Sequence, residues 1–202
     1  MKVSFYKFAL ALVRFLLSFA YSVRVGGTEQ IPKKGSGYLL CCNHISAVDP
    51  IFIAPYVNDP VHFMGKAELF QNKFLDKLFR AVGAFPVSRE KGDVTAVNYA
   101  VKLVSENRIL GIFPEGTRSK TGKMGRLKSG ALFIAAQSGG DILPCVIKPV
   151  GKSLWRKKLV VRYGKLIKNE ELGLSGKDRT ALKNANRLLT ETLEGLLEEI
   201  HG

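Results

Sequence analysis

Two titratable residues stand close together in the stretch "NHISAVDP", residues 43–50, which separates two apolar runs. His44 and Asp49 are five positions apart, a spacing that is wrong for one helix face but suits a turn between a strand and a helix. In such a turn the aspartate can accept a hydrogen bond from one ring nitrogen and leave the other nitrogen as a base. A structural interpretation stays open, because Asp49 before Pro50 also suits a helix N-cap.

A second stretch, "FPEGTRS" at residues 113–119, is rich in groups that can bind an anion. Gly116 permits close approach of the backbone, Thr117 offers a hydroxyl, and Arg118 can bind a phosphate through two parallel hydrogen bonds. Glu115 could orient Arg118 or a substrate hydroxyl. Taken alone, the stretch is more typical of a solvated surface loop.

Two further cations follow predicted strands, Lys66 in "GKAEL" and Arg89 in "GAFPVSR". Each of them, considered singly, is typical of a solvated strand end. The three histidines lack the spacing of metal ligands, so we expect no metal site. The chain also lacks a GxSxG nucleophile elbow, so we expect any attacking group to belong to the substrate.

Alternating strands and helices must position these residues. A buried strand is predicted at "YLLCC", further strands at "VHFMG", "AFPV", "RILGIF", "ILPCVIKPV" and "KLVVRYGKLI", and an extended piece at "YSVRVGG". Helical periodicity is found at 50 to about 57, 67–82, 93–107, 128–138 and 177–200. This order predicts an α/β fold, a single domain with a mixed, mainly parallel sheet flanked by helices.

The N-terminal segment has a different character, and we expect residues 1–22 to form an amphipathic membrane helix that precedes the domain at 23–202. A narrow polar stripe faces a broad apolar arc, which is typical of a helix lying in the membrane interface. The stripe is Ser4, Lys7, Ala11, Arg14, Ser18 and Ser22, and the arc is Phe5, Phe8, Leu12, Phe15, Leu16 and Phe19. A helix packed on its own domain and a signal peptide are the alternatives.

The net charge indicates the class of partner, and the positions of the cysteines indicate the state of the thiols. The formal net charge of +14 indicates an anionic partner, namely a membrane surface, a nucleic acid or a phosphorylated substrate. We expect no nucleic acid, because the cations are dispersed and no helix-turn-helix, RRM or KH signature is present. Anionic headgroups would suit the basic helix face of Lys73, Lys77 and Arg80 and the stretch "KSLWRKK". The three cysteines lie in apolar runs and are predicted to be buried free thiols.

Taken together, these stretches resemble the glycerolipid acyltransferase family over about residues 38–150. "NHISAVD" matches the NHxSxxD block, "GAFPVSR" the GxxFxxR block, "FPEGTRS" the block of that sequence, and "ILPCVI" an apolar, proline-containing block. The first and third blocks together are specific. In the family, the NHxSxxD form is typical of acylation of lysophosphatidate.

The resemblance implies that His44 is the general base and that Asp49 orients it. The substrate's free 2-hydroxyl then attacks an acyl thioester, which forms phosphatidic acid. Lys66, Arg89, Glu115, Gly116, Thr117 and Arg118 are implied as the acceptor and phosphate site. No tightly bound cofactor is expected; the co-substrate is acyl-coenzyme A or an acyl-acyl-carrier protein. The expected location is monotopic, on the cytoplasmic face of the cell membrane.

Three alternatives remain open from the sequence. Another lysolipid or glycerol-3-phosphate could be the acceptor. A nucleic-acid-binding module and a membrane scaffold with an inactive site are alternatives of other classes.

Overall fold

The computed structural model describes residues 2–88, 92–119, 121–151, 155–174 and 179–201. The strands of the sheet in these residues are β1 Tyr21–Gly26, β2 Tyr38–Cys42, β3 Val61–Lys66, β4 Phe85–Val87, β5 Ile109–Ile112, β6 Asp141–Pro149 and β7 Lys157–Tyr163. The α-helices are α1 Val3–Ser18, α2 Asp49–Ile53, α3 Lys73–Ala81, α4 Val94–Ser105, α5 Gly130–Ser138 and α6 Arg179–Glu198. The predicted order of elements is therefore confirmed.

The strands form one sheet in the order β1-β7-β6-β2-β5-β3-β4. Of the neighbouring pairs, only β6 and β7 run antiparallel. This confirms the α/β domain with a mixed, mainly parallel sheet. Strands β6, β2, β5, β3 and β4 are parallel to one another, so their carboxyl ends meet at one edge of the sheet.

Hydrophobic cores lie on both faces of the sheet, because the alternating side chains of β2 are buried on both sides. Leu39 and Cys41 pack with α4, α5 and α6 on one face. Leu40 and Cys42 pack on the other face, with α2 and the inner side of α1. Cys41, Cys42 and Cys145 are free and buried, as predicted, and burial raises the pKa of the Cys41 and Cys42 thiols.

The predicted helix 67–82 is divided into a 3₁₀ turn, Ala67–Phe70, and helix α3. The division occurs at Asn72, whose side-chain oxygen accepts from the backbone N–H groups of Phe74 and Leu75. Side-chain capping of this kind satisfies donors that lack helical partners and fixes where a helix begins. Periodicity alone does not show this break, because apolar residues occur on both sides of it.

Helix α1 has three faces rather than two. Its inner face packs on the domain through Leu10, Leu17 and the buried Tyr6, whose hydroxyl accepts from the backbone N–H of Val61 at 3.2 Å. The members of the polar stripe that lie on α1 are exposed, and the Arg14 guanidinium donates to the Tyr56 hydroxyl at 3.0 Å. The last member, Ser22, is half-buried on β1. The third face is the predicted apolar arc, and every member of it is exposed to solvent.

The sheet begins earlier than the predicted boundary between residues 22 and 23. Strand β1 pairs with β7 from Tyr21 onward, so residues 21 and 22 belong to the sheet of the domain. None of the helices in the described part of the chain combines the length and the hydrophobicity needed to cross a bilayer.

Candidate active site

The candidate residues that the structure describes gather where three neighbouring parallel strands end. His44 follows β2, the loop that begins at Phe113 follows β5, and Lys66 is the last residue of β3. Because β5 lies between β2 and β3, the FPEGTRS loop is adjacent to both of the other positions. Arg89, which follows β4 in the chain, lies outside the described residues.

Asn43 directly follows strand β2 and opens the turn that carries His44. Its buried side-chain amide donates to the Ile147 carbonyl at 3.0 Å and accepts from the Ile147 N–H at 2.8 Å. The side-chain amide thus makes the two hydrogen bonds to β6 that a backbone residue of β2 would otherwise make, while the main chain turns away from the sheet. This residue fixes the start of the turn on the central strand.

His44 and Asp49 form the expected pair. The His44 Nδ1 atom lies 2.8 Å from Asp49 Oδ2, and the imidazole retains a small exposed surface of 14%. A carboxylate acceptor holds the proton on Nδ1 and leaves the Nε2 lone pair available. Nε2 has no hydrogen-bond partner among the described residues, so it is free to accept a proton from a substrate.

Asp49 also holds the turn together, although it is not the helix N-cap. Its Oδ2 atom accepts from the backbone N–H groups of Ile45 and Ser46, both at 2.8 Å, while Val48 occupies the N-cap position. Asp49 is fully buried, and its Oδ1 has no hydrogen-bond partner among the described residues. The same carboxylate is therefore in position both to orient the His44 ring and to stabilise the turn.

An aromatic stack supports the His44 ring. The Phe113 ring lies 4.0 Å from the imidazole, nearly parallel at 17°, and Phe63 lies 5.9 Å beyond Phe113. Gly111 makes the stack possible, because a Cβ there would lie 2.2 Å from the Phe63 ring. The stack restricts rotation of the imidazole and leaves its orientation to Asp49.

Glu115 joins the histidine turn to the FPEGTRS loop. One carboxylate oxygen accepts from the His44 N–H at 2.7 Å, and the other accepts from the Gly125 N–H at 2.6 Å. A second link runs beside it, from the Ser119 N–H to the His44 carbonyl at 2.7 Å. Glu115 is buried, and its contacts are to backbone donors rather than to Arg118.

The rest of the loop is more open. Thr117 and Arg118 are exposed, and neither has an ion-pair partner within the described residues. Gly116 has a left-handed backbone with φ +72°, and the space beside it is occupied by the Lys128 side chain. A cavity of about 300 Å³ lies against the loop. It is lined by Glu115, Thr117, Ser119, Thr121, Lys123, Met124, Gly125 and Arg126.

Two further titratable residues, Lys66 and His62, lie on strand β3. Lys66 lies at the expected strand end, where its ammonium pairs with Glu68 at 2.7 Å and about half of its side chain is exposed. His62 lies on β3 and is buried; burial, followed by the charge of Arg108, lowers its pKa. No group of three or more metal-ligating side chains gathers within the described ranges.

Three residues that shape the site were not predicted from the sequence, namely Asn43, Phe113 and Lys128. Asn43 belongs to the NHxSxxD block and Phe113 to the FPEGTRS block. Their closeness in sequence to His44 and Glu115 was therefore a sign that they contribute to the site. Lys128 gives no such signal, because it lies twelve positions after Gly116, at the start of the predicted helix 128–138.

Comparisons with known proteins identify the family of this chain. Residues 22–148 match the protein family described as Acyltransferase. A Bacillus subtilis protein named 1-acyl-sn-glycerol-3-phosphate acyltransferase is 33% identical over 201 residues, which cover 96% of each chain. A Streptococcus pneumoniae protein of the same name is 32% identical over 144 residues, covering 69% of this chain and 53% of its own length.

The fold is also found in a solved structure. The crystal structure of the 1-acyl-sn-glycerophosphate acyltransferase from Thermotoga maritima has a TM-score of 0.75 and 22% sequence identity to this chain. The similarity covers 97% of this chain and 78% of that one, and at this identity it establishes the fold alone. From the family match and the full-length Bacillus relative, we conclude that this chain belongs to the acyltransferase family.

Proposed function

We propose that this protein transfers a fatty acyl group from an acyl thioester to the 2-hydroxyl of 1-acyl-glycerol-3-phosphate, giving phosphatidic acid. The observation that carries the proposal is the His44–Asp49 pair, which presents a free Nε2 beside a cationic loop. The names of the Bacillus and Streptococcus relatives support the same acceptor.

In the proposed reaction, His44 Nε2 removes the proton of the hydroxyl as the hydroxyl oxygen attacks the thioester carbonyl. The tetrahedral intermediate collapses, the carbon–sulfur bond breaks, and the thiolate leaves with the proton that His44 received. An ester and a free thiol are the products, and His44 returns to its neutral form. Asp49 stabilises the imidazolium while it exists and keeps the ring in one tautomer.

The acceptor phosphate is proposed to lie over the FPEGTRS loop. Arg118 is exposed and unpaired within the described residues, and its guanidinium can bind phosphate bidentately. Arg89 and Lys66 remain proposed phosphate ligands. Lys66 would have to exchange its contact with Glu68 for the substrate.

Glu115 is proposed to position His44 rather than bind substrate, and Glu115→Gln tests this. The amide can accept from one of the two backbone N–H groups, so the other donor would face an NH₂ group. We expect kcat to fall about 10- to 100-fold with acceptor KM nearly unchanged, and stability to fall by about 1–3 kcal/mol.

Steady-state kinetics over both substrates and urea unfolding measure these effects. A Glu199→Gln variant is the matched control, since Glu199 forms an exposed ion pair with Arg162. An increase in acceptor KM at constant kcat would instead favour direct substrate contact by Glu115.

The outer arc of α1 is proposed to lie in one leaflet of the membrane. Phe8, Phe15 and Phe19 are each more than 60% exposed although they are large and apolar. Trp155, which is 91% exposed, is placed near the end of α1, because the Lys157 N–H donates to the Ala20 carbonyl. A phenylalanine arc beside an exposed tryptophan is typical of an interfacial surface.

A charge-matched pair of variants tests the membrane face. Phe8→Asp/Phe15→Asp places two carboxylates on the outer arc, whereas Ser4→Asp/Ala11→Asp places the same charges on the polar stripe. Burial of each phenylalanine is worth about 2 kcal/mol, which corresponds to about 30-fold in binding. We expect the first variant to lose vesicle binding by at least about 100-fold and the second to lose far less.

Flotation with vesicles of neutral and anionic lipid measures this binding at low and high salt. High salt should weaken binding only in part, since apolar burial is not screened. Equal losses in the two variants would contradict the membrane assignment of the arc. Substitutions are preferable to deletion, because Tyr6 of the same helix is buried in the domain.

The activity itself is tested by incubation of the protein with 1-acyl-glycerol-3-phosphate and each thioester donor, followed by lipid analysis. Formation of phosphatidic acid is the expected result, and separate reactions with coenzyme A and carrier-protein thioesters identify the donor. Other lysolipids and glycerol-3-phosphate, assayed in parallel, test the alternative acceptors. The cytoplasmic face is proposed because buried free thiols suit a reducing compartment.

A further inference from the structure

The side chain of Lys128, which is exposed to solvent, lies against Gly116 of the FPEGTRS loop. A Cβ on Gly116 would lie 2.9, 3.0 and 3.1 Å from the Nζ, Cε and Cδ atoms of Lys128. These are the last three atoms of the side chain, so the whole distal half of the lysine rests on Gly116. The left-handed conformation of Gly116, with φ +72°, presents that open side to the lysine.

The backbone of Lys128 is held to the same loop. Its N–H donates to the Pro114 carbonyl at 2.8 Å, two residues before Gly116. Lys128 is therefore held at both ends: its backbone by a hydrogen bond, and the end of its side chain by contact with Gly116. An exposed lysine without such contacts would lose more conformational entropy on binding a ligand.

The Lys128 ammonium is held in position but has no counter-charge among the described residues. No carboxylate of the described residues pairs with Lys128, and no hydrogen bond donated by its Nζ is found there. Glu115 is the acidic residue nearest to Gly116 in the chain, and both of its oxygens accept from backbone N–H groups. A fixed cation without a counter-charge is a binding point for an anion.

From this geometry we propose that Lys128 binds the phosphate of the acceptor together with Arg118; this inference rests on the proposed function. The reacting hydroxyl must reach His44 Nε2, and the phosphate is only a few covalent bonds away from it. Glu115, which contacts the His44 backbone, directly precedes Gly116, and Arg118 follows two residues later. The loop that supports the base thus also carries Arg118 and holds Lys128 against it.

A neutral variant of similar length tests the proposal. Lys128→Met keeps the side chain against Gly116 and removes the charge. We expect kcat/KM for 1-acyl-glycerol-3-phosphate to fall about 10- to 100-fold, the effect of losing a charge-assisted hydrogen bond. The donor KM should not change, and turnover of 1-acylglycerol, which lacks the phosphate, should change less than twofold. Lys128→Arg should restore part of the loss.

Lys165→Met is the matched control, because Lys165 is an exposed lysine just beyond the end of β7, at the opposite edge of the sheet. It removes the same charge without touching the loop, and we expect acceptor kinetics close to those of the parent. An unchanged acceptor kcat/KM in Lys128→Met would overturn the proposal. An equal loss with 1-acylglycerol, or a change confined to the donor KM, would overturn it as well.

Binding without turnover separates this inference from the proposed function. Glycerol-3-phosphate is titrated into the parent and Lys128→Met proteins without donor, and calorimetry or NMR measures the affinity. If the parent forms no phosphatidic acid, the proposed function fails, while weaker binding by Lys128→Met still supports the anion site. Equal affinity of the two proteins would overturn the Lys128 assignment whatever the activity.

Discussion

His44→Ala is expected to abolish measurable acyl transfer, with kcat at least about 10³-fold lower, because it removes the general base. The fold should survive the change. The turn is held by backbone contacts, from the His44 N–H to Glu115 and from the Ser119 N–H to the His44 carbonyl, and these do not involve the imidazole. Transfer is measured with a radiolabelled or mass-resolved acyl donor, and stability by thermal unfolding.

His201→Ala is the control for this experiment, because His201 is exposed and lies near the end of the described chain. It should leave both activity and stability unchanged. Turnover by His44→Ala within tenfold of the parent would exclude the proposed mechanism.

Asp49→Asn is expected to reduce both kcat and stability, since one carboxylate has two tasks. Its Oδ2 accepts from the His44 ring and from the N–H groups of Ile45 and Ser46. An amide oxygen can take that position, but the NH₂ group would then occupy the buried site of Oδ1, where no acceptor is present among the described residues. The unsatisfied amide should cost about 1–3 kcal/mol of stability.

The loss of charge in Asp49→Asn acts on the reaction itself. The imidazolium formed during proton abstraction would have no carboxylate beside it, and an amide turned with its NH₂ toward Nδ1 would hold the ring in the wrong tautomer. We expect kcat to fall by about 10³- to 10⁴-fold, which is far more than partial unfolding explains. A fall in melting temperature with kcat within tenfold of the parent would assign Asp49 a structural role only.

Asp141→Asn is the matched control for Asp49→Asn. Asp141 likewise combines a cation partner, Lys168 at 2.8 Å, with a backbone donor, the Asn169 N–H at 2.9 Å. It begins β6, at the edge of the sheet opposite to the site. Its replacement should lower stability slightly and leave kcat unchanged.

Local patterns in the sequence predict most of the fold. The apolar runs of β2 and β6 are continuous because both faces of a central parallel strand are buried. The spacing of His44 and Asp49 predicts a turn, because no helix brings residues five apart onto one face. Such arguments need only neighbouring residues, so one sequence is sufficient for them.

The order of the strands and the partners of Glu115 depend on long-range packing. Strand β5 enters between β2 and β3, and this insertion brings Glu115 to the His44 backbone across 71 positions of sequence. A glutamate that accepts from two backbone donors has the same sequence pattern as one that binds a substrate hydroxyl. The contact of Lys128 with Gly116 also depends on tertiary packing, because nothing in the sequence places the two residues side by side.

The attachment of α1 to the domain determines how the acceptor would arrive. Tyr6 and Arg14 form hydrogen bonds with residues 61 and 56, so the helix is fixed to the domain and is not joined to it only by a linker. On the proposed membrane surface, such a body meets a lysolipid by lateral diffusion within the leaflet. The rate would then follow the mole fraction of lysolipid in the surface rather than its bulk concentration, and added inert lipid would slow turnover by dilution in two dimensions.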